Sequence, residues 1–136
     1  MDDTVSNLVK RFKTNDPFEI ALRLNISVWY ENLGDGTRGL YYRKLRRRFI
    51  VIHNGLDEEW QRFICAHELG HDRLHPGISR FWLDEHSLYN AGKYERQANK
   101  FAVKLLTAYD DPKKDESIRE YLSRNQIPME MDQYFI

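Results

Sequence analysis

The chain has 136 residues, 41% hydrophobic and 13% aromatic, with 21 basic and 21 acidic side chains and zero formal charge. That length suits one domain spanning residues 1–136 with one core, and the apolar content excludes an intrinsically disordered chain. Neutral charge gives no overall case for nucleic acid or a membrane surface, and no apolar run suits a span or a signal peptide, so a cytoplasmic protein is expected.

Residues 2–12 read as a helix, with Val5, Leu8, Val9 and Phe12 on one side. A second helix starts at Thr14-Asn15-Asp16-Pro17, where proline suits the first turn, and its apolar side is Ile20, Ala21 and Leu24. Residues 26–30 alternate as a strand does, and Gly34-Asp35-Gly36 is a turn. Residues 38–42 and 48–53 read as two more strands. The bend between them crowds in Arg43, Lys44, Arg46, Arg47 and Arg48, read as a solvated hairpin end, with a nucleic-acid patch or the steering of an acidic partner as the alternatives. Residues 57–75 form one helix: Trp60, Phe63, Ile64, His67, His71 and Leu74 recur every three or four positions. Asn54 or Asp57 can cap its start, and Pro76-Gly77 stops it. The stretch 78–90 is irregular, with a short extended piece at 79–83. A helix over 94–107, a break at Asp110-Asp111-Pro112, a last helix over 116–124 and a tail of about a dozen residues complete the chain. The order predicts an α+β domain, a small antiparallel sheet of about three strands packed with the 57–75 helix and its partner.

The chemistry concentrates in His67-Glu68-Leu69-Gly70-His71, an H-E-x-x-H of the kind that binds zinc in one large class of metalloproteases. Residues four apart share a helical face, so the two imidazoles can converge on one ion. Glu68 points to the side, where it can take a proton from a metal-activated water instead of binding the metal. Both histidines fall on the inward stripe, where an unpaired polar ring would be costly. His75 extends the ladder, but helix rise puts it about 12 Å along the axis from His67, too far to share an ion. The longer H-E-x-x-H-x-x-G-x-x-H pattern fails, since Leu74 stands at its glycine and Gly77 at its third histidine. A later carboxylate remains, and Glu95 is the best candidate. Asn99, one turn on, is able to hold a ligand histidine's free N–H. The lone cysteine, Cys65, excludes an internal disulfide, agrees with a reducing compartment, and reads as packing.

Several blocks resemble the ImmA/IrrE family of small intracellular zinc peptidases. Residues 62–71 with Leu74-His75 resemble its catalytic helix, and residues 95–102 its glutamate-bearing helix. Residues 16–21, 39–42 and 50–54 resemble its early helix and strands. The family often ends the second helix in a Leu-Leu-Met-Pro-like sequence, where this chain has Leu105-Leu106-Thr107-Ala108. The resemblance implies a minimal zincin-like metallopeptidase with one Zn2+ on His67, His71 and Glu95 and with Glu68 as base. It also implies a protein substrate, typically a helix-turn-helix repressor of a phage, mobile element or stress regulon.

Peptide hydrolysis needs a donor for the developing oxyanion besides the ion. His86, Tyr89 and Tyr94 lie between the two helices as candidates, and none is assigned. An edge strand beside the zinc helix would suit an extended peptide. Two other classes stay open: a zinc-stabilised module that inhibits a repressor by contact alone, and a DNA-binding regulator using the basic bend. The base Glu68 argues against the first and neutral charge against the second.

Overall fold

The run Phe49-Ile50-Val51-Ile52 is apolar on both faces, the pattern of a strand with neighbours on either side. The computed structural model, which describes residues 2–84 and 92–135, places this run inside the sheet. Four strands, β1 (Ile26–Glu31), β2 (Thr37–Lys44), β3 (Arg47–His53) and β4 (Arg80–Asp84), lie in the order β1-β3-β2-β4. β2 and β3 form the expected hairpin, and β4 adds antiparallel to β2. β1 runs parallel to β3. The sheet is therefore mixed and four-stranded, where an antiparallel sheet of about three strands was expected. The chain leaving β1 passes β3's place and enters β2 first. β3 then returns along β2 and presents its other edge to β1, in the same direction.

The helices are α1 (Asp2–Phe12), α2 (Pro17–Arg23), α3 (Glu58–Leu74), α4 (Lys93–Leu106) and α5 (Ile118–Arg124), followed by a 3-10 helix (Met129–Tyr134). Each start follows local chemistry. Asp16 Oδ1 accepts from the Phe18 amide at 3.0 Å, with Pro17 in the first turn of α2. Asp57, not Asn54, caps α3, accepting from the Trp60 amide at 2.9 Å. Ser117 does the same for α5.

An amphipathic stripe predicts one inward face for α3, yet every residue from Phe63 to Asp72 is buried. The sheet covers one side of the helix while α2 and α4 close others. Helices enclosed all round need small residues at their closest crossings. A Cβ added at Gly70 would stand 2.9 Å from Phe101 Cδ1 on α4. On the sheet side, a Cβ at Gly39 would stand 2.4 Å from Ile64 Cγ2 and 2.9 Å from Glu68 Oε2. Gly39→Ala should therefore force β2 off α3 and cost about 1–3 kcal/mol, as overpacking does. A urea midpoint equal to the wild type's would show that the spacing has slack.

The basic bend is only partly solvated, contrary to expectation. Arg48 points inward and pairs with Asp72, a carboxylate with 2% side-chain exposure, at 3.0 Å. It also donates to the Leu24 carbonyl. Asp72 further accepts from the Tyr41 hydroxyl at 2.7 Å and from Arg73 at 2.6 Å. Alternation along β3 explains this, because Arg48 shares the helix-facing side with Ile50 and Ile52. The cluster ties the C-terminal half of α3, one residue past His71, to β2, β3 and the end of α2.

Residues 127–134, where a tail was expected, pack into the core. Ile127, Met131 and Tyr134 are buried in the same core as α3, and the 3-10 helix packs on α4 and α5. Their apolar side chains are spaced too irregularly to announce a helix, which is why the sequence reads as frayed. Cys65 is fully buried in that core, and burial pushes its thiol well up, consistent with packing.

Candidate metal centre

α3 and α4 together build the site. His67 and His71, one turn apart on α3, turn toward α4, and their Nε2 atoms lie 3.2 Å apart. Glu95, in the first turn of α4, straddles them. Its Oε2 is 2.8 Å from His67 Nε2 and its Oε1 is 2.9 Å from His71 Nε2. Near the helix N-terminus, Glu95 also sits at the positive end of the α4 dipole. All three donor atoms fall within 4.8 Å of one another, a grouping able to hold a metal ion. Asn99, one turn further along α4, places Oδ1 2.8 Å from His67 Nδ1. That is the hold expected of it.

The donor set suits a cation. Asn99 Oδ1 and Glu95 Oε2 flank the His67 ring, and both are acceptors, while a neutral imidazole has one hydrogen to give. In the tautomer with Nδ1–H toward Asn99, His67 Nε2 faces a carboxylate and another imidazole with a lone pair. One metal ion would satisfy all three donors. Two nitrogens about 2.05 Å from a tetrahedral zinc stand about 3.3 Å apart, close to the separation found. Protonation states agree with this. Burial pushes His71 down to about 4, so its ring is neutral near pH 7. Burial would raise Glu95, but the close approach of the two imidazoles, His67 and His71, outweighs it and holds the carboxyl at about 2. A neutral His71 and an ionised Glu95 are forms that bind metal.

Glu68 stands apart from these three. Its Oε1 lies 4.0 Å from His67 Nε2 and 3.9 Å from His71 Nε2, too far to share their contacts with Glu95. Both its oxygens are buried and have no hydrogen-bond partner among the described residues. Burial, with Glu95's charge adding to it, pushes its carboxyl well above the usual range. A buried, unpartnered carboxylate is costly, so its placement beside the donor cluster points to use, not packing.

β4 closes one side of the site. It is the last strand of the sheet beyond β2 among the described residues, and its Phe81 ring stacks on His71 with centroids 3.6 Å apart and planes 8° apart. Tyr94 is 45% exposed and lies at the rim, its ring packed on His75. The other oxyanion candidates, His86 and Tyr89, lie outside the described residues. Three partners escaped the sequence reading: Phe81, His75 as a neighbour of His71, and Gln97 as a neighbour of His75. The ladder 67, 71, 75 hinted at the second, but nothing local announces a contact between β4 and α3.

Two buried histidines, a partly buried Glu95 and a separate buried carboxylate, between a helix pair and a sheet edge, have the make-up of a peptidase-like metal centre. Residues 21–134 match the profile of peptidase family M78, described as the IrrE N-terminal-like domain, and the chain belongs to that family. Among its relatives, "Uncharacterized immunity region protein 2" of Bacillus phage phi105 is 41% identical over 102 residues, 75% of this chain and 65% of that protein. "Metallopeptidase ImmA" of Bacillus subtilis strain 168 is 31% identical over 102 residues, 75% of this chain and 60% of that protein. The chain thus spans less than two thirds of the length of either relative. No helix among the described residues is long and apolar enough to cross a membrane.

Proposed function

We propose that this protein is a cytoplasmic zinc-dependent endopeptidase whose substrate is a helix-turn-helix repressor. The observation that carries the reading is the pairing of a cluster suited to a cation, His67, His71 and Glu95, with a buried carboxylate, Glu68, that has no hydrogen-bond partner among the described residues. Zinc suits two imidazoles and a carboxylate, and a three-residue set leaves a position for substrate. A purely structural site is closed by four protein ligands and needs no base. Family membership and the metallopeptidase relative support hydrolysis, and the repressor is the substrate class that the ImmA/IrrE resemblance implies.

When bound, the ion supplies a Lewis acid that polarises the scissile carbonyl and acidifies the attacking water. The chain's own residues do the rest. Glu68 accepts the water's proton at a carboxylate oxygen and delivers it to the leaving amine. Its raised proton affinity helps it hold that proton between the two transfers. Asn99 keeps His67 Nδ1 protonated, so that Nε2 stays a donor to the ion. An extended substrate segment adds to the outer edge of β4, which pairs with no further strand among the described residues and whose Phe81 touches His71.

The test uses a helix-turn-helix repressor sought first among the neighbouring genes, where the ImmA/IrrE resemblance implies the substrate is often encoded. Incubated with zinc-loaded protein, it should be cut at one or a few bonds. Chelation should stop cutting, and zinc added in excess of chelator should restore it. Cutting that survives thorough chelation would refute a metal-dependent enzyme.

A further inference from the structure

The residue that caps the C-terminus of α3 is a third histidine, which the metal cluster does not use. His75 is one turn beyond His71 and only 6% exposed. Both its ring nitrogens are engaged. Nδ1 lies 2.9 Å from His71 Nδ1, and Nε2 lies 2.7 Å from Gln97 Oε1. Tyr94 and Phe81 pack on the ring, with centroids 4.6 and 5.5 Å away.

The hydrogens in this chain can be placed by elimination. An amide oxygen only accepts, so His75 Nε2 carries the hydrogen toward Gln97. A neutral His75 then has its lone pair on Nδ1, and the group facing it is His71 Nδ1–H. His71 is left with a lone pair on Nε2, aimed at His67 Nε2 and Glu95. The arrangement parallels the other histidine, whose Nδ1–H ends on Asn99 Oδ1. Both imidazoles therefore terminate on carboxamide oxygens of α4, His67 directly and His71 through one more ring. Glu95 and Asn99, four apart, serve His67. Tyr94 and Gln97, three apart on the neighbouring strip of α4, serve His75.

We propose that His75 is a positioning residue for the metal centre: it fixes His71 in the tautomer and orientation that offer Nε2 to the ion, and Gln97 fixes the tautomer of His75. This rests on the metal-centre reading above. Because the chain ends on a neutral amide, it orients His71 without adding charge, unlike a carboxylate behind a metal-bound histidine.

Zinc affinity of the purified protein, measured by competition with a chromophoric chelator, reads this without any substrate. His75→Phe keeps an aromatic ring against Tyr94 and Phe81 but removes the acceptor, and should weaken zinc binding about 10–100-fold. His75→Asn places an amide oxygen near the position of Nδ1 and should recover most of that loss. In zinc-loaded wild-type protein, two-bond proton–nitrogen correlation spectra should show His71 protonated at Nδ1 and His75 at Nε2. Wild-type affinity in His75→Phe, or His75→Asn as weak as His75→Phe, would overturn the proposal. So would His75 protonated at Nδ1, a readout that needs no variant to fold. His67→Ala separates the two readings. If it too binds zinc normally, the metal centre itself is misassigned; if it loses zinc while His75→Phe keeps it, only the positioning role fails.

Discussion

Glu68→Gln should fold, bind zinc and bind the repressor, yet cleave it at least about 10²–10⁴-fold more slowly, the range a positioned base is worth. The substitution keeps the size of the side chain and removes its capacity to take a proton. Glu68 lies 3.9 Å and 4.0 Å from the two Nε2 atoms, outside their contacts with Glu95, so the metal has no direct claim on it. Co-expression of this chain with the candidate repressor, wild type against Glu68→Gln, gives the clearest readout. Loss of intact repressor with wild type alone is the expected result. Equal relief of repression by both forms, with the repressor uncut, would show that contact suffices and that the enzyme reading is wrong.

The second large effect falls on the metal. Glu95 contacts both Nε2 atoms, at 2.8 and 2.9 Å, and is the only carboxylate to do so among the described residues. Glu95→Ala leaves two imidazoles 3.2 Å apart with no anion to balance a dication. Zinc affinity should drop by more than the roughly 100-fold that losing an outer partner of a ligand can cost. Thermal stability follows by linkage. Zinc at 100 times its dissociation constant stabilises the wild type by about 2.7 kcal/mol. At the same zinc concentration, a 100-fold weaker variant would gain only about 0.4 kcal/mol. Melting curves with and without zinc test this, and Glu68→Ala is the comparison that should keep the zinc-dependent shift. A shift lost with Glu68→Ala and kept with Glu95→Ala would reverse the two assignments.

Much of the candidate site was legible because its chemistry is local. His67 and His71 share a face by helical period alone, and Glu68 is turned aside by the same geometry. Asn99 follows Glu95 by one turn, so a single helix could be expected to offer both a carboxylate and an amide. The helices of the site were likewise readable, since Asp57 before Trp60 and Pro76-Gly77 after His75 bracket α3 by ordinary capping and stop signals. Elsewhere the local pattern misled. Arg48 was grouped with its basic neighbours, although strand alternation turns it alone toward Asp72. The segment from Ile127 to Tyr134 showed no clear period, yet it buries three large side chains.

The sequence by itself determined the H-E-x-x-H helix, the hairpin of β2 and β3, and a second helix bearing Glu95 and Asn99. These follow from periods of 3.6 and 2 residues and from caps a few positions long. Tertiary structure decided how the pieces meet. β1 joins β3 in parallel because the central strand had one edge left, a fact of chain path and not of composition. Glu95 comes within 2.9 Å of His71, and Phe81 stacks on it, because close crossings at Gly70 and Gly39 bring α4 and the sheet against α3. His75 changes from a surplus member of a ladder into a neighbour of Gln97, 22 positions away. Such contacts depend on distances of a few tenths of an ångström between distant segments, which close packing sets and no local pattern encodes.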